Sequence, residues 1–136
     1  MIIGIDASNI RGGGGLTHLL ELLSAADPTK HDFERVVVWG CMNTLGQIEF
    51  KPWLKKVNFP SLERGFVSRT MFQSFRLSSE ARKENCSVLF VPGGSFSGNF
   101  KPVVTMSQNL LPFELNELFR FGWSLLALRF LLLRFT

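Results

Sequence analysis

The chain has 136 residues, 46% of them hydrophobic and 19% charged, with a net charge of +4. That length fits one domain with a buried core, and the composition excludes a disordered tail. The basic residues are few and scattered, which argues against a nucleic-acid partner.

Met1 to Asp6 reads as a first strand, and Asp6 and Arg11 break up any apolar core of a signal peptide. Four glycines follow, Gly12, Gly13, Gly14 and Gly15, and Leu16, Leu19, Leu20 and Leu23 then repeat at helical spacing. A glycine turn before a helix allows close approach to the backbone, and unpaired N–H groups with a partial positive charge can hold an anion such as phosphate. His18 is placed in the first turn, able to donate a hydrogen bond to a sugar or phosphate or to pack against the sheet. The turn is neither of the two common nucleotide motifs. A dinucleotide fingerprint needs glycine where Thr17 stands and an acid where Trp39, Gly40 and Cys41 stand, and a P-loop needs lysine where Leu16 stands.

Asp27 and Pro28 end the first helix. Arg35 to Trp39, closed by Gly40, is a continuous apolar run suited to a strand covered on both faces. Val57 to Phe59, stopped by Pro60, reads as a short third strand. Phe66 to Lys83 reads as a helix, with Val67, Met71 and Phe75 on one stripe and Arg69, Arg76 and Arg82 elsewhere. Val88 to Val91 and Pro102 to Met106 are two further buried strands, the first broken by Pro92, Gly93 and Gly94. Cys41 and Cys86 form no CxxC and accompany no histidine cluster; they read as reduced thiols of a cytosolic protein, with no metal site.

Alternation of strands and helices predicts an α/β fold, a Rossmann-like parallel sheet with helices on both faces. Ligands of such sheets bind beyond the carboxyl ends of the strands, where strand order reverses. Three loops belong there: 9–15, 92–98 and 107–114. In the last, Gln108 and Asn109 carry amides that donate and accept together, as hydroxyl recognition requires, and Glu114 follows as a carboxylate at a helix start.

Leu115 to Phe135 is helical in period. Glu117, Arg120, Ser124, Ala127 and Arg134 share a narrow face interrupted by Leu131, Arg129 stands alone, and the remaining positions are mostly apolar. The arginines leave no apolar run near the ~20 residues needed to span a bilayer. The segment is read either as a helix lying in a membrane interface with arginines on phosphate headgroups, or as a packing helix whose partners lie elsewhere. The absence of a C-cap glycine or polar tail at Thr136 is read as truncation.

The strand Ile2 to Asp6, the Gly12 to His18 segment and the Val103 to Glu114 segment, continued by Arg120 to Ser124 and Leu128 to Arg134, resemble the N-terminal half of glycosyltransferase family 4 enzymes. The resemblance implies a GT-B fold, in which two Rossmann-like domains face each other across a cleft, with residues 1–136 forming the N-terminal, acceptor-binding domain. It implies a retaining glycosyltransferase that moves a sugar from a nucleotide-sugar donor to a glycan or lipid-linked acceptor, as in polysaccharide biosynthesis, without cofactor or metal. It places Gly12 to Gly15, Thr17 and His18 at the donor or acceptor, together with Gln108, Asn109 and Glu114. Gln108 and Asn109 stand where many members carry a histidine pair or His-Asp, which leaves hydroxyl binding rather than acid/base work at that site. The donor-binding C-terminal domain, with its paired glutamates, lies outside the 136 residues, so the fragment alone is expected to be inactive. A cytoplasmic location, peripheral at the inner membrane face, goes with a lipid-linked acceptor. Two other readings stay open: a stand-alone nucleotide- or phosphate-binding module, and a membrane-surface interaction module.

Overall fold

The computed structural model describes residues 1–106. Gln108, Asn109, Glu114 and the predicted Leu115 to Phe135 helix lie outside the described residues. The described strands are β1 (Ile2–Ala7), β2 (Arg35–Gly40), β3 (Leu54–Val57), β4 (Val88–Val91) and β5 (Val103–Thr105). They form one sheet in the order β3-β2-β1-β4-β5, with every neighbouring pair parallel. This is the predicted α/β, Rossmann-like architecture. Strand order reverses between β1 and β4, because the chain builds outward to β3 and then returns to the other side of β1.

The helices are α1 (Gly13–Ala25), α2 (Pro28–His31), α3 (Met42–Gln47), α4 (Pro60–Glu63), α5 (Phe66–Met71) and α6 (Leu77–Lys83). A π-helical turn, Phe72–Arg76, joins α5 to α6 without a break. The strands alternate their side chains between two cores. Ile5, Val36 and Val38 meet Leu16, Leu19 and Leu23 of α1 and Leu45 of α3 on one face. Val37, Trp39, Leu89 and Val91 meet Leu62, Phe72, Leu77 and Ala81 on the other. Helices therefore cover both faces. Gly4 sits at the centre of the second face, where an added Cβ would fall 2.9 Å from the Trp39 ring and 3.2 Å from Cys86 Sγ. The indole lies against bare β1 backbone.

Several boundaries differ from the sequence reading. Helix α1 begins at Gly13 rather than at Leu16, so three of the four glycines form its first turn and His18 falls in the second. The third strand is Leu54–Val57, earlier than predicted, because its pairing runs from Val36↔Leu54 to Trp39↔Val57. Its Lys55 and Lys56 are exposed, which hides the apolar pattern of a strand. Among the described residues β5 is an edge strand rather than a buried one, with Val104 53% exposed. The short helices α2, α3 and α4 carry no periodic signal. The Asp27 carboxylate caps α2 by accepting from the Thr29 N–H, so Asp27 and Pro28 start a helix where the sequence reading had them only ending one. Cys41 is buried and Cys86 half-buried, both free. Burial, with the nearby Glu84 charge, pushes the Cys86 thiol up to about 11, which makes it a poor nucleophile at neutral pH.

Candidate functional site

The site lies at the carboxyl ends of β1 and β4. After Ala7 the chain turns tightly, with the Ile10 N–H donating to the Ala7 carbonyl at 3.1 Å. The Thr44 hydroxyl holds this turn from α3 by donating to the Ile10 carbonyl at 2.6 Å. Gly12 is extended and caps α1 without any side-chain hydrogen bond. Gly13 has φ +66, a left-handed conformation that favours glycine. A Cβ at Gly12, Gly13 or Gly15 would meet nothing within 4 Å. Packing among the described residues therefore does not require these glycines, and the first-turn N–H groups of α1 are open with respect to the described residues. No acidic side chain occupies that first turn.

Loop 92–98 comes beside this turn. A Cβ added to Gly93 would lie 3.8 Å from Asn9 Cβ, so two of the three predicted loops do meet. The third loop begins past β5, whose Thr105 pairs with Val91, and residues 107–114 are outside the described part. Thr17 is exposed, with its hydroxyl donating back to the Gly13 carbonyl at 3.3 Å. His18 is half-buried in the second turn of α1.

Five residues join the site that the sequence reading did not place there. Arg11, next to the glycines, donates through Nη2 to the Leu62 and Arg64 carbonyls, which fixes its guanidinium against the end of α4. Arg69 reaches in from α5, with Nη1 3.5 Å from the Ser8 carbonyl and its Nε buried without a partner among the described residues. Burial, followed by the neighbouring Arg11 charge, pulls the Arg69 guanidinium below its ordinary value. Neither arginine forms an ion pair with a described carboxylate. The wholly buried Ser8 hydroxyl likewise lacks a partner among the described residues. Two like charges held together, beside open helix N–H groups, make a patch of positive potential suited to an oxyanion.

Beneath them lies Asp6, the last polar residue of β1 and 3% exposed. Oδ1 accepts from the Ser8 N–H at 3.0 Å, and Oδ2 accepts from the Gln73 side-chain amide. The same amide nitrogen donates to the Ser95 carbonyl at 3.0 Å. Burial raises the Asp6 carboxyl above the ordinary value, while the Ser8 and Gln73 hydrogen bonds oppose the rise. Gln73 thus ties together the end of β1, the π turn and the loop after β4. A polar residue closing an apolar strand was the available sequence signal for Asp6. Nothing local signals Arg69 or Gln73, which arrive from a distant helix.

Among the described residues, no three His, Cys, Asp or Glu side chains are grouped to hold a metal ion. No described helix is long and apolar enough to cross a membrane. No family model, curated protein or solved structure matches the chain.

Proposed function

We propose that this chain supplies the acceptor-binding wall of a retaining glycosyltransferase of the GT-B type, which moves a sugar from a nucleotide-sugar donor to a glycan or lipid-linked acceptor. The observation that carries the reading is the open glycine start of α1 at the strand-order reversal, beside the Arg11 and Arg69 pair, which forms no ion pair with a described carboxylate. In this reading the donor diphosphate lies on the first-turn N–H groups of Gly13 to Gly15, with the guanidinium of Arg69 beside it. Gln108, Asn109 and Glu114 bind acceptor hydroxyls, and a second Rossmann-like half supplies the opposite wall. Sugar transfer by the 136 residues alone is not expected, since holding donor and acceptor together is much of the catalysis. A cytoplasmic protein, peripheral at the membrane, would meet both substrates.

The arginine pair also favours a second reading, a phosphate- or nucleotide-binding module without catalysis, because it recognises the anion whatever the anion carries. Calorimetry separates the two. Under the first, a nucleoside diphosphate sugar binds more tightly than pyrophosphate, and Arg69→Met weakens it by about tenfold or more, the value of one charge-assisted hydrogen bond. Equal affinity for pyrophosphate supports the second reading. Failure of both ligands to bind overturns both.

A further inference from the structure

The amino end of the sheet, opposite the glycine start of α1, carries a cleft of its own. Parallel strands put Leu54, the first residue of β3, at this end, and α1 returns to it from Gly13, so that Glu21 stands about 12 Å along the helix axis from that glycine. The cleft has a volume of about 220 Å³ and runs between the last turns of α1 and the segment joining α3 to β3. Leu23, Ile48 and Leu54, all buried, and the half-buried Leu20 give it an apolar floor. Apolar cavities of about 150 Å³ hold benzene, so the space suits a body of about six carbons.

Its charged groups are unequal. Glu21 stands on the α1 side and Glu49 on the other, and neither pairs with a described cation. Against these two carboxylates the lining holds one ammonium, Lys51, which leaves one negative charge in excess. That ammonium is committed to the helix end. Lys51 Nζ donates to the Ser24 carbonyl at 3.0 Å and lies 5.5 Å from the centroid of the Trp53 ring. Helix α1 has no basic residue in its last turn, so the partial negative charge of its carboxyl end is met by a cation that arrives from 27 residues further along the chain. A helix-end carbonyl and an aromatic face thus already hold one organic ammonium here. The two glutamates extend the same negative potential over the apolar floor.

We propose that this cleft binds a small organic cation, with an apolar body of about six carbons on Leu20, Leu23, Ile48 and Leu54 and its ammonium group between Glu21 and Glu49. Charge complementarity selects a cation over a neutral or anionic molecule of equal size. The cleft shares α1 with the anion patch but has no residue in common with it, and it does not depend on sugar transfer.

Titration of the full chain with hexylammonium, hexanol and hexanoate, followed by amide NMR, tests this. Hexylammonium is expected to bind most tightly of the three, to shift the amides of Leu20 to Ser24 and of Ile48 to Lys51, and to weaken with salt. Glu21→Gln and Glu49→Gln should each lower its affinity by about two- to fivefold, the value of one exposed carboxylate, and leave hexanol unchanged. Both positions are exposed, so neither change threatens the fold. Lys51→Met removes the competing ammonium and should move the affinity in the opposite direction, upward by about the same factor. Four results would overturn the proposal. Hexylammonium shifts no amide of the cleft. It binds no more tightly than hexanol, which leaves only an apolar crevice. Hexanoate binds best, which makes Lys51 the anchor of an anion. Or the two glutamine variants bind hexylammonium as well as the parent chain.

Discussion

On one face of the sheet, regular helix α1 sets Leu16, Leu19 and Leu23 on Ile5, Val36 and Val38, all apolar. On the other face, the long helix from Phe66 to Lys83 brings Phe72 and Leu77 onto Trp39 and Leu89, but it also carries Gln73 and Ser78 into the buried layer beside Asp6. Where α1 meets the first face there is only apolar area to bury, and an uninterrupted 3.6-residue repeat does that. The second must also give a buried carboxylate its donors, and there the helix departs from α geometry through the π turn Phe72–Arg76. The irregular helix geometry and the buried Asp6–Gln73 pair thus lie on one side of the sheet, while the glycine start of α1 belongs to the helix on the other.

Truncation of the apolar core should hurt both faces alike. Trp39→Ala, at 0% exposure against Gly4, is expected to cost about 3–5 kcal/mol, and Leu19→Ala, also fully buried, about 2–5 kcal/mol, both read from urea unfolding. If one face lost its core without loss of stability, the pairing of two cores on one sheet would be wrong. Gln73→Ala separates the faces. It strips a donor from the buried Asp6 carboxylate and releases the Ser95 carbonyl, at a cost of about 1–3 kcal/mol, and hydrogen exchange should quicken in loop 92–98 while α1 stays protected. Equal exchange changes in α1 would erase the distinction.

The smallest effect is in pH. The Asp6 carboxyl is raised in the folded chain, so its neutral form is the one folding favours. Its contribution is fully present below the ordinary carboxylate value and is lost as pH rises through the raised folded value. The stability advantage of the parent chain over Asp6→Asn should therefore shrink as pH rises across that window. An advantage that grows with pH would mean that the two hydrogen bonds outweigh burial.

These same contrasts explain what was legible in the sequence. β1, β2 and β4 are apolar runs buried on both faces, and α1 has an uninterrupted leucine repeat, so sequence and structure agree there to within a few residues. β3 was displaced because only Leu54 of its residues is buried. α3 and α4 are held by tertiary contacts, such as Glu63 accepting from the Met42 N–H and the Asn58 amide, which no local pattern reveals. The Val67, Met71 and Phe75 stripe has perfect helical spacing and yet faces outward, since the inner face includes the polar Gln73 and Ser78. The open glycine start of α1 was legible from composition. Its Arg11, Arg69 and Ser8 neighbours were not, because they converge from separate parts of the chain.

The π turn amounts to one residue more than a straight helix would need. Deleting a single residue within Phe72–Arg76 would restore an unbroken i→i+4 ladder and rotate everything upstream by about 100° relative to α6. Arg69 would swing off Ser8, and part of the outward stripe would turn in toward the strands. A length change of one residue, with no change in amino-acid character, would thus exchange the wet side of this helix for its dry side.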